Sequence, residues 1–253
     1  MKLSIIISVL NSQEILRRQL LWFKKMDLED DIEFIFLDDG SDVPLHDCGI
    51  KLKNLTIHPT NDKRAWTVEL ARNLGAKMAK GEYLLMTDID YIIPKAAIEI
   101  VRGLKEDKMC FRRQFGVLDE NGDFSQDVNI LRKYGLLEDR ILHRGTNLPP
   151  HPNNFIMRKE TFFKIGGYRE DRVGVPYPNG GDRWFKRAWA KAYEAGEVTL
   201  APYREWLYMF PNGQFCGDVD YNPFGLFHEL SRKSERNIFH ARLSSKMPVP
   251  VSN

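Results

Sequence analysis

Gly81-Glu82-Tyr83-Leu84-Leu85-Met86-Thr87-Asp88-Ile89-Asp90 is a short apolar run that ends in two carboxylates one residue apart. Tyr83 to Met86 has the character of a buried strand, which places Asp88 and Asp90 at its carboxyl end, where an open α/β sheet binds its ligand. Acids so spaced can both turn toward a divalent cation when the chain bends after the strand, because Mg²⁺ and Mn²⁺ prefer oxygen ligands. A metal there could hold a diphosphate. The same three residues also suit an ordinary solvated strand end, so the neighbouring sequence must choose.

That neighbouring sequence alternates strands and helices. Residues 1–10 carry one positive charge and a short apolar run with no small-residue cleavage site after it, which suits a first buried strand rather than a signal peptide. Leu16, Leu20 and Phe23 recur at helical spacing between Gln13 and Lys25, so a helix is expected over one face of the sheet. Glu33 to Leu37 is a second strand, ending in Asp38-Asp39-Gly40-Ser41, and Leu52 to Ile57 a third, stopped by Pro59. Thr67, Ala71, Leu74 and Met78 share a helical face, and Gly81 is expected as a left-handed cap to that helix. A further helix is predicted after Pro94 through Ala97, Ile100, Val101 and Leu104. Strand, helix and strand at these lengths predict a parallel sheet.

The second half is less regular. Met109 to Phe115 is expected as a strand, Asp119-Glu120-Asn121-Gly122 as a turn, and residues 143–154 as a loop able to move over a site. Phe155 to Met157 returns to strand character and Glu160 to Ile165 to a short helix. Asn179-Gly180-Gly181-Asp182 opens a helix on which Phe185, Ala188, Trp189 and Ala192 share a face. The expected organisation is one domain over 1–205, in two parts (1–107 and 108–205), then an extension over 206–253. That extension is aromatic, with Trp206, Tyr208, Phe210, Phe215, Tyr221, Phe224 and Phe227, which suits a satellite core better than a ring-stacking surface. From His228 onward five Lys and Arg face two Glu.

At 253 residues the chain can bury one substantial core, and a net charge of +2 advertises no polyanionic partner. The three cysteines, Cys48, Cys110 and Cys216, have no paired spacing for zinc or a disulfide framework, so a reducing compartment is the simplest expectation. No apolar run approaches the roughly 18 to 20 residues that span a bilayer. A soluble, cytoplasmic protein without an integral membrane segment is expected.

Taken in order, these pieces resemble the GT-A glycosyltransferases, in particular the inverting family 2, with a second half similar to β-1,4-galactosyltransferase and chondroitin-polymerase relatives. The resemblance covers residues 3 to about 190, and it implies a catalytic domain with 1–107 as its nucleotide-sugar half and 108–205 as its acceptor half. Ser4 to Asn11 stands where the family has its opening strand, Asp38-Asp39-Gly40-Ser41 where it has Asp-Asp-Gly-Ser, Ala71-Arg72-Asn73-Leu74-Gly75 where it has Ala-Arg-Asn-x-Gly, and Asp88-Ile89-Asp90 where it has Asp-x-Asp. Phe162 to Tyr168 looks like the segment before the catalytic loop, and Asn179-Gly180-Gly181-Asp182 with Arg187 looks like Gly-Glu-Asp followed by a helical arginine.

The resemblance implies a GT-A α/β fold, a mostly parallel Rossmann-like sheet flanked by helices, and a metal-dependent inverting transfer of a sugar from a nucleotide sugar, a UDP-sugar first. Asp39 would accept from the base edge, Ser8 would line that pocket, and Arg72 would lie near the nucleotide. Asp88 and Asp90 would face ribose and an Mn²⁺ or Mg²⁺ ion, Asp90 as the more direct ligand, and His228 would be a further metal candidate. Asp182 would be the catalytic base. Each residue has a plainer role open to it: Asp182 as an N-cap, Asp39 as a turn residue, Arg72 as a solvated helical arginine, His228 as a structural histidine. The family's usual proline, tyrosine and glutamate are replaced by Ser8, Leu10 and Gly181, the last at a position tied to acceptor recognition.

The chemistry needs such acids. Breaking an anomeric carbon–oxygen bond builds negative charge on the departing diphosphate, which a metal held by Asp90 would neutralise, while a carboxylate on the opposite face takes the acceptor's proton. A saccharide hydroxyl is the first acceptor class and a modified DNA base the second. A nucleotidyltransferase of similar fold would carry a glycine-rich basic loop after the first strand, where Asn11-Ser12-Gln13-Glu14 stands. A nucleotide-sugar or glycan-binding module without turnover is the other alternative, motivated by Gly181.

Overall fold

The structure is a computed structural model that describes residues 1–64, 67–134, 147–148, 151–171 and 181–211. In chain order these form β1 (Leu3–Val9), α1 (Gln13–Lys25), β2 (Ile32–Asp38), β3 (Leu55–Pro59), α2 (Val68–Met78), β4 (Tyr83–Asp88) and β5 (Tyr91–Ile92). There follow α3 (Lys95–Glu99), β6 (Lys108–Cys110), β7 (Arg112–Phe115), β8 (Val117–Leu118), β9 (Phe124–Ser125), α4 (Val128–Lys133) and β10 (Asn147–Leu148). Last come β11 (Phe155–Arg158), α5 (Lys159–Lys164), α6 (Gly181–Glu194), β12 (Leu200–Ala201) and β13 (Trp206–Met209).

The main sheet has the order β12-β6-β11-β4-β1-β2-β3. From β4 to β3 the strands are parallel, and β11 runs antiparallel to both β4 and β6. β1 lies centrally with neighbours on both sides, which explains why Leu3-Ser4-Ile5-Ile6-Ile7 reads as an unbroken buried run instead of alternating. Ile5 and Ile7 face one core, with Leu16, Leu20 and Phe23 of α1, while Ile6 faces the other, with Ala71 and Ala76 of α2 and Phe155 and Phe185. Each fully buried Ile, Leu or Phe among these contributes about 1.5–3 kcal/mol relative to an exposed one.

Four expectations need correction. Gly81 is not in the left-handed region; a Cβ there would lie 2.5 Å from Ser4 N, so close approach of backbone to backbone is what demands glycine. The stretch from Met109 to Phe115 is two strands in two sheets, β6 in the main sheet and β7 in a second sheet of order β10-β7-β13-β5. The helix after Pro94 is short, with α3 passing into a 3₁₀ turn over Ile100–Gly103. Trp206–Met209, at the start of the expected extension, pairs parallel with β7 and antiparallel with β5, so this piece belongs to the body of the fold. Among the described residues no helix is long and apolar enough to cross a membrane.

β11 and α6 enclose Lys108, which is fully buried at the start of β6. Its ammonium lies 3.9 Å from the ring centre of Phe155, 4.7 Å from Trp189 and 5.3 Å from Phe185. Ring faces replace part of the lost hydration, and the nearby Cys110 thiol is a weak acceptor, so burial still pushes the Lys108 pKa down to about 8. Below about 8 the ammonium is present in the folded and the unfolded chain alike, and folding carries the whole desolvation penalty. Between about 8 and the ordinary 10.5 the folded chain loses the proton first, so stability rises with pH. Lys108→Met is therefore expected to raise stability at pH 7 by on the order of 1–3 kcal/mol, an advantage that shrinks across that window. Urea denaturation at pH 7 and pH 10 measures it.

Candidate active site

Strand register brings the acids together. Val9 lies opposite Asp38 across β1 and β2, and Ser8 lies opposite Asp88 across β1 and β4, so three strands end side by side. Ser8 sits half-buried between the Asp38-Asp39 turn and the Asp88-Ile89-Asp90 turn. Asn11, at φ 48°, ties the first loop to the second: its side chain accepts from Asp42 N at 2.7 Å, and its own N–H donates to Ser41 Oγ at 2.9 Å.

The two adjacent acids after β2 divide their work. Asp38 accepts from Ser41 N at 2.9 Å and Leu45 N at 3.0 Å, which shapes the turn. Gly40 is needed there twice over, with φ at +86° and a would-be Cβ 2.2 Å from Asp62 O. Asp39 is left for other use: it is buried, and its Oδ1 has no hydrogen-bond partner among the described residues. Burial, helped by Asp62 and Glu69 and opposed by Thr67 and Arg72, pushes its pKa up to about 7.

Arg72 connects the halves of the molecule. It rises from α2, is 1% exposed, donates to Asp88 Oδ1, and brings Nη1 to 3.7 Å from Asp182 Oδ1. Its guanidinium stands 5.3 Å from the ring centre of Tyr168, while Nε and Nη1 have no hydrogen-bond acceptor among the described residues. The neighbouring carboxylates hold its pKa above the ordinary arginine value despite burial. Asn73 makes the neutral counterpart of this link: its amide donates to Tyr168 O at 2.8 Å and accepts from Tyr168 N at 3.0 Å. Asp182 opens α6, and Phe185, three residues on, stacks against Tyr168 at 4.6 Å and Phe155 at 5.1 Å. Apolar packing thus fixes the helix whose first turn carries the acid.

Asp90 is buried, with Oδ1 unpartnered among the described residues. Burial and the adjacent Asp88 push its pKa up to about 8. The unpartnered oxygen of Asp90, with the Asp88 carboxylate adjacent, fits a hard divalent cation, which commonly takes one or two protein carboxylates together with water and phosphate oxygens. Among the described residues no three His, Cys, Asp or Glu side chains are grouped to hold a metal unaided. His228 lies outside the described residues, as do Asn179 and Gly180 and much of the 143–154 loop.

Two groups were passed over in the sequence. His151 is largely buried, its Nδ1 accepting from Asn153 N at 3.3 Å, and burial lowers its pKa against the opposing fields of Asp88 and Asp182. Glu69, one turn before Arg72 on α2, is buried, with its pKa raised by that burial and by the charges of Asp182 and Asp88. The helical spacing of Glu69 and Arg72 was the available signal for the second; only position between two prolines marked the first.

Residues 4–179 match the sequence family described as glycosyltransferase like family 2. Curated proteins give no match. Among solved structures, TarS of S. aureus (residues 1–349) is similar over 84% of this chain and 61% of its own, at 19% identity and a TM-score of 0.54. The same protein in complex with UDP-GlcNAc is similar over 82% and 58%, at 18% identity and a TM-score of 0.50. The mannosyltransferase PcManGT from Pyrobaculum calidifontis, in complex with GDP-Man and Mn²⁺, is similar over 85% and 58%, at 15% identity and a TM-score of 0.53. The chain thus spans about three fifths of these chains, and the likeness is one of fold, the GT-A architecture.

The burial of the Asp39 carboxyl can be tested through its effect on stability. Below the ordinary 3.8 it is protonated in both states; between 3.8 and about 7 only the folded chain keeps the proton, so its burial costs progressively more as pH rises. Asp39→Asn is expected to match the parent near pH 4 and to exceed it by on the order of 1–3 kcal/mol at pH 8. Denaturant titrations at the two pH values check this.

Proposed function

We propose that this chain, which belongs to glycosyltransferase-like family 2, transfers a sugar from a UDP-sugar to a saccharide hydroxyl with inversion at the anomeric carbon. The observation that carries the reading is that one buried arginine, Arg72, pairs with Asp88 from the first half and lies beside Asp182 from the second. A donor-side acid and an acid from a separate element thereby share one site, as a reaction with a leaving group and an incoming nucleophile requires.

Asp39 binds the base. A buried carboxylate oxygen without a donor suits uracil, which presents an N–H at its pairing edge, and disfavours adenine and cytosine, whose ring nitrogen there is an acceptor. Ser8 lines the wall between base and diphosphate, and the unmatched N–H groups of Arg72 point to a role beside the diphosphate. Asp88 and Asp90 are the residues that would hold Mn²⁺ or Mg²⁺. When bound, such an ion supplies positive charge against the diphosphate. Asp182 takes the proton from the acceptor hydroxyl, and Arg72 beside it keeps that carboxylate oriented. With the base on the face opposite the leaving group, displacement inverts the anomeric centre. Gly181, where the family carries glutamate, leaves the acceptor side without that carboxylate.

Asp182→Asn is expected to lower transfer by at least about 10² while UDP affinity stays unchanged. Asp90→Ala is expected to abolish the gain in UDP affinity that Mn²⁺ brings, measured by calorimetry. A product retaining the donor's anomeric configuration by NMR, or full turnover in Asp182→Asn, rejects the mechanism. Stronger metal-dependent binding of GDP than of UDP rejects the choice of donor.

A further inference from the structure

We propose that Gln19 is a positioning residue for Asp90, holding the backbone on both sides of that acid so that its carboxylate is in place before any ligand arrives. Gln19 is 0% exposed and lies on α1 among Ile15, Leu16, Leu20 and Phe23, where an apolar side chain would be the ordinary occupant. Its Nε2 donates to the carbonyl oxygens of Ile89 at 2.5 Å and of Tyr91 at 3.0 Å, the residues immediately before and after Asp90. The orientation of the amide follows from chemistry: turned over, it would set Oε1 against two carbonyl oxygens. Oε1 itself is buried without a hydrogen-bond partner, a standing cost in a core, so it is the NH₂ group that the site retains.

Two further contacts extend the hold. Trp22, one turn along α1, donates from Nε1 to Ile93 O at 2.8 Å, and Phe210 N, following β13, donates to Asp90 O at 3.0 Å. On its other edge the segment pairs with β13 through Tyr91 and Ile92. Alternate carbonyls at 89, 91 and 93 are therefore met by side chains of a helix, as a neighbouring strand would meet them, while the carbonyl of Asp90 faces the other way. α1 thus does the work of a strand along this edge of the segment. A two-residue strand has little hydrogen bonding of its own, and Gln19 supplies what fixes the intervening acid.

The inference rests on the reading that Asp90 holds the divalent cation, and the two can fail separately. Calorimetry of UDP binding with and without Mn²⁺ is compared for the parent, Gln19→Met and Trp22→Phe. Gln19→Met is expected to weaken Mn²⁺-dependent UDP affinity by about tenfold or more, the usual effect of losing a partner behind a metal ligand, with metal-free UDP affinity intact. Trp22→Phe, which frees a carbonyl three residues past Asp90, is expected to lower thermal stability without that loss. Parent-like Mn²⁺-dependent affinity in Gln19→Met, or an equal loss of metal-free binding, overturns the proposal. Should Gln19→Met fail to fold, hydrogen exchange of the parent decides: residues 89–93 are expected to be protected with no cation present. Exchange at the rate of unstructured chain until Mn²⁺ and UDP are added overturns it. A parent without any Mn²⁺-dependent UDP binding overturns the underlying reading of Asp90.

Discussion

A buried arginine cannot shed its proton, so the fold must carry acids to it. Arg72 receives Asp88 from the end of β4 and Asp182 from the start of α6, two elements nearly a hundred residues apart in sequence that share no strand pairing. Removing one partner from such an arrangement commonly costs about 3–5 kcal/mol, because the charge left behind stays out of water. Asn73, next along α2, binds the backbone of Tyr168 with both ends of its amide. One turn of helix thus joins the halves by charge and by neutral hydrogen bonds, and places the acid of the second half over the strand ends of the first.

Around that link the site holds more negative groups than the protein satisfies. Asp39, Glu69 and Asp90 are all pushed toward their protonated forms, chiefly by burial. Asp39 and Asp90 each keep an oxygen without a donor among the described residues, while Arg72 keeps N–H groups without an acceptor. A stability-optimised core would pair or remove these groups. Carboxylate oxygens without donors and arginine N–H groups without acceptors, gathered near the same strand ends, leave hydrogen-bonding and charge capacity that a polar ligand could meet.

The mounting of these groups differs from one to the next. Asp39 sits on a turn shaped by Asp38 and a glycine with no alternative, whereas Asp90 sits on a segment that takes its hydrogen bonds from α1 on one edge and β13 on the other. Asp182 depends on packing, with Phe185 wedged between Tyr168 and Phe155. Rigid scaffolding of this kind is what lets a site hold unsatisfied polar atoms without collapsing onto them.

The parallel sheet was legible from sequence because its causes are local in period: unbroken apolar runs for strands buried on both faces, and helical spacing for α1 and α2, whose ends at Gln13 and Lys25 and near Met78 follow the pattern closely. The acids at strand ends were legible for the same reason, since a carboxylate after an apolar run marks a carboxyl edge. What the sequence could not give was pairing across distance. That Ser8 stands beside Asp88, that β6 and β7 part into two sheets, that Trp206–Met209 returns to pair with β5, and that Gln19 reaches Asp90's neighbours all depend on which surfaces meet once the core has formed. Even Gly81, correctly marked as special, was assigned the wrong cause, because a backbone from 77 residues away presses on it. Sequence by itself determined the strand ends and the acids they carry, since both follow from local hydrophobic pattern; tertiary structure alone decided that one of those acids, Asp88, shares an arginine with Asp182 at a helix start, since a buried charge is matched through space and leaves no period in the chain.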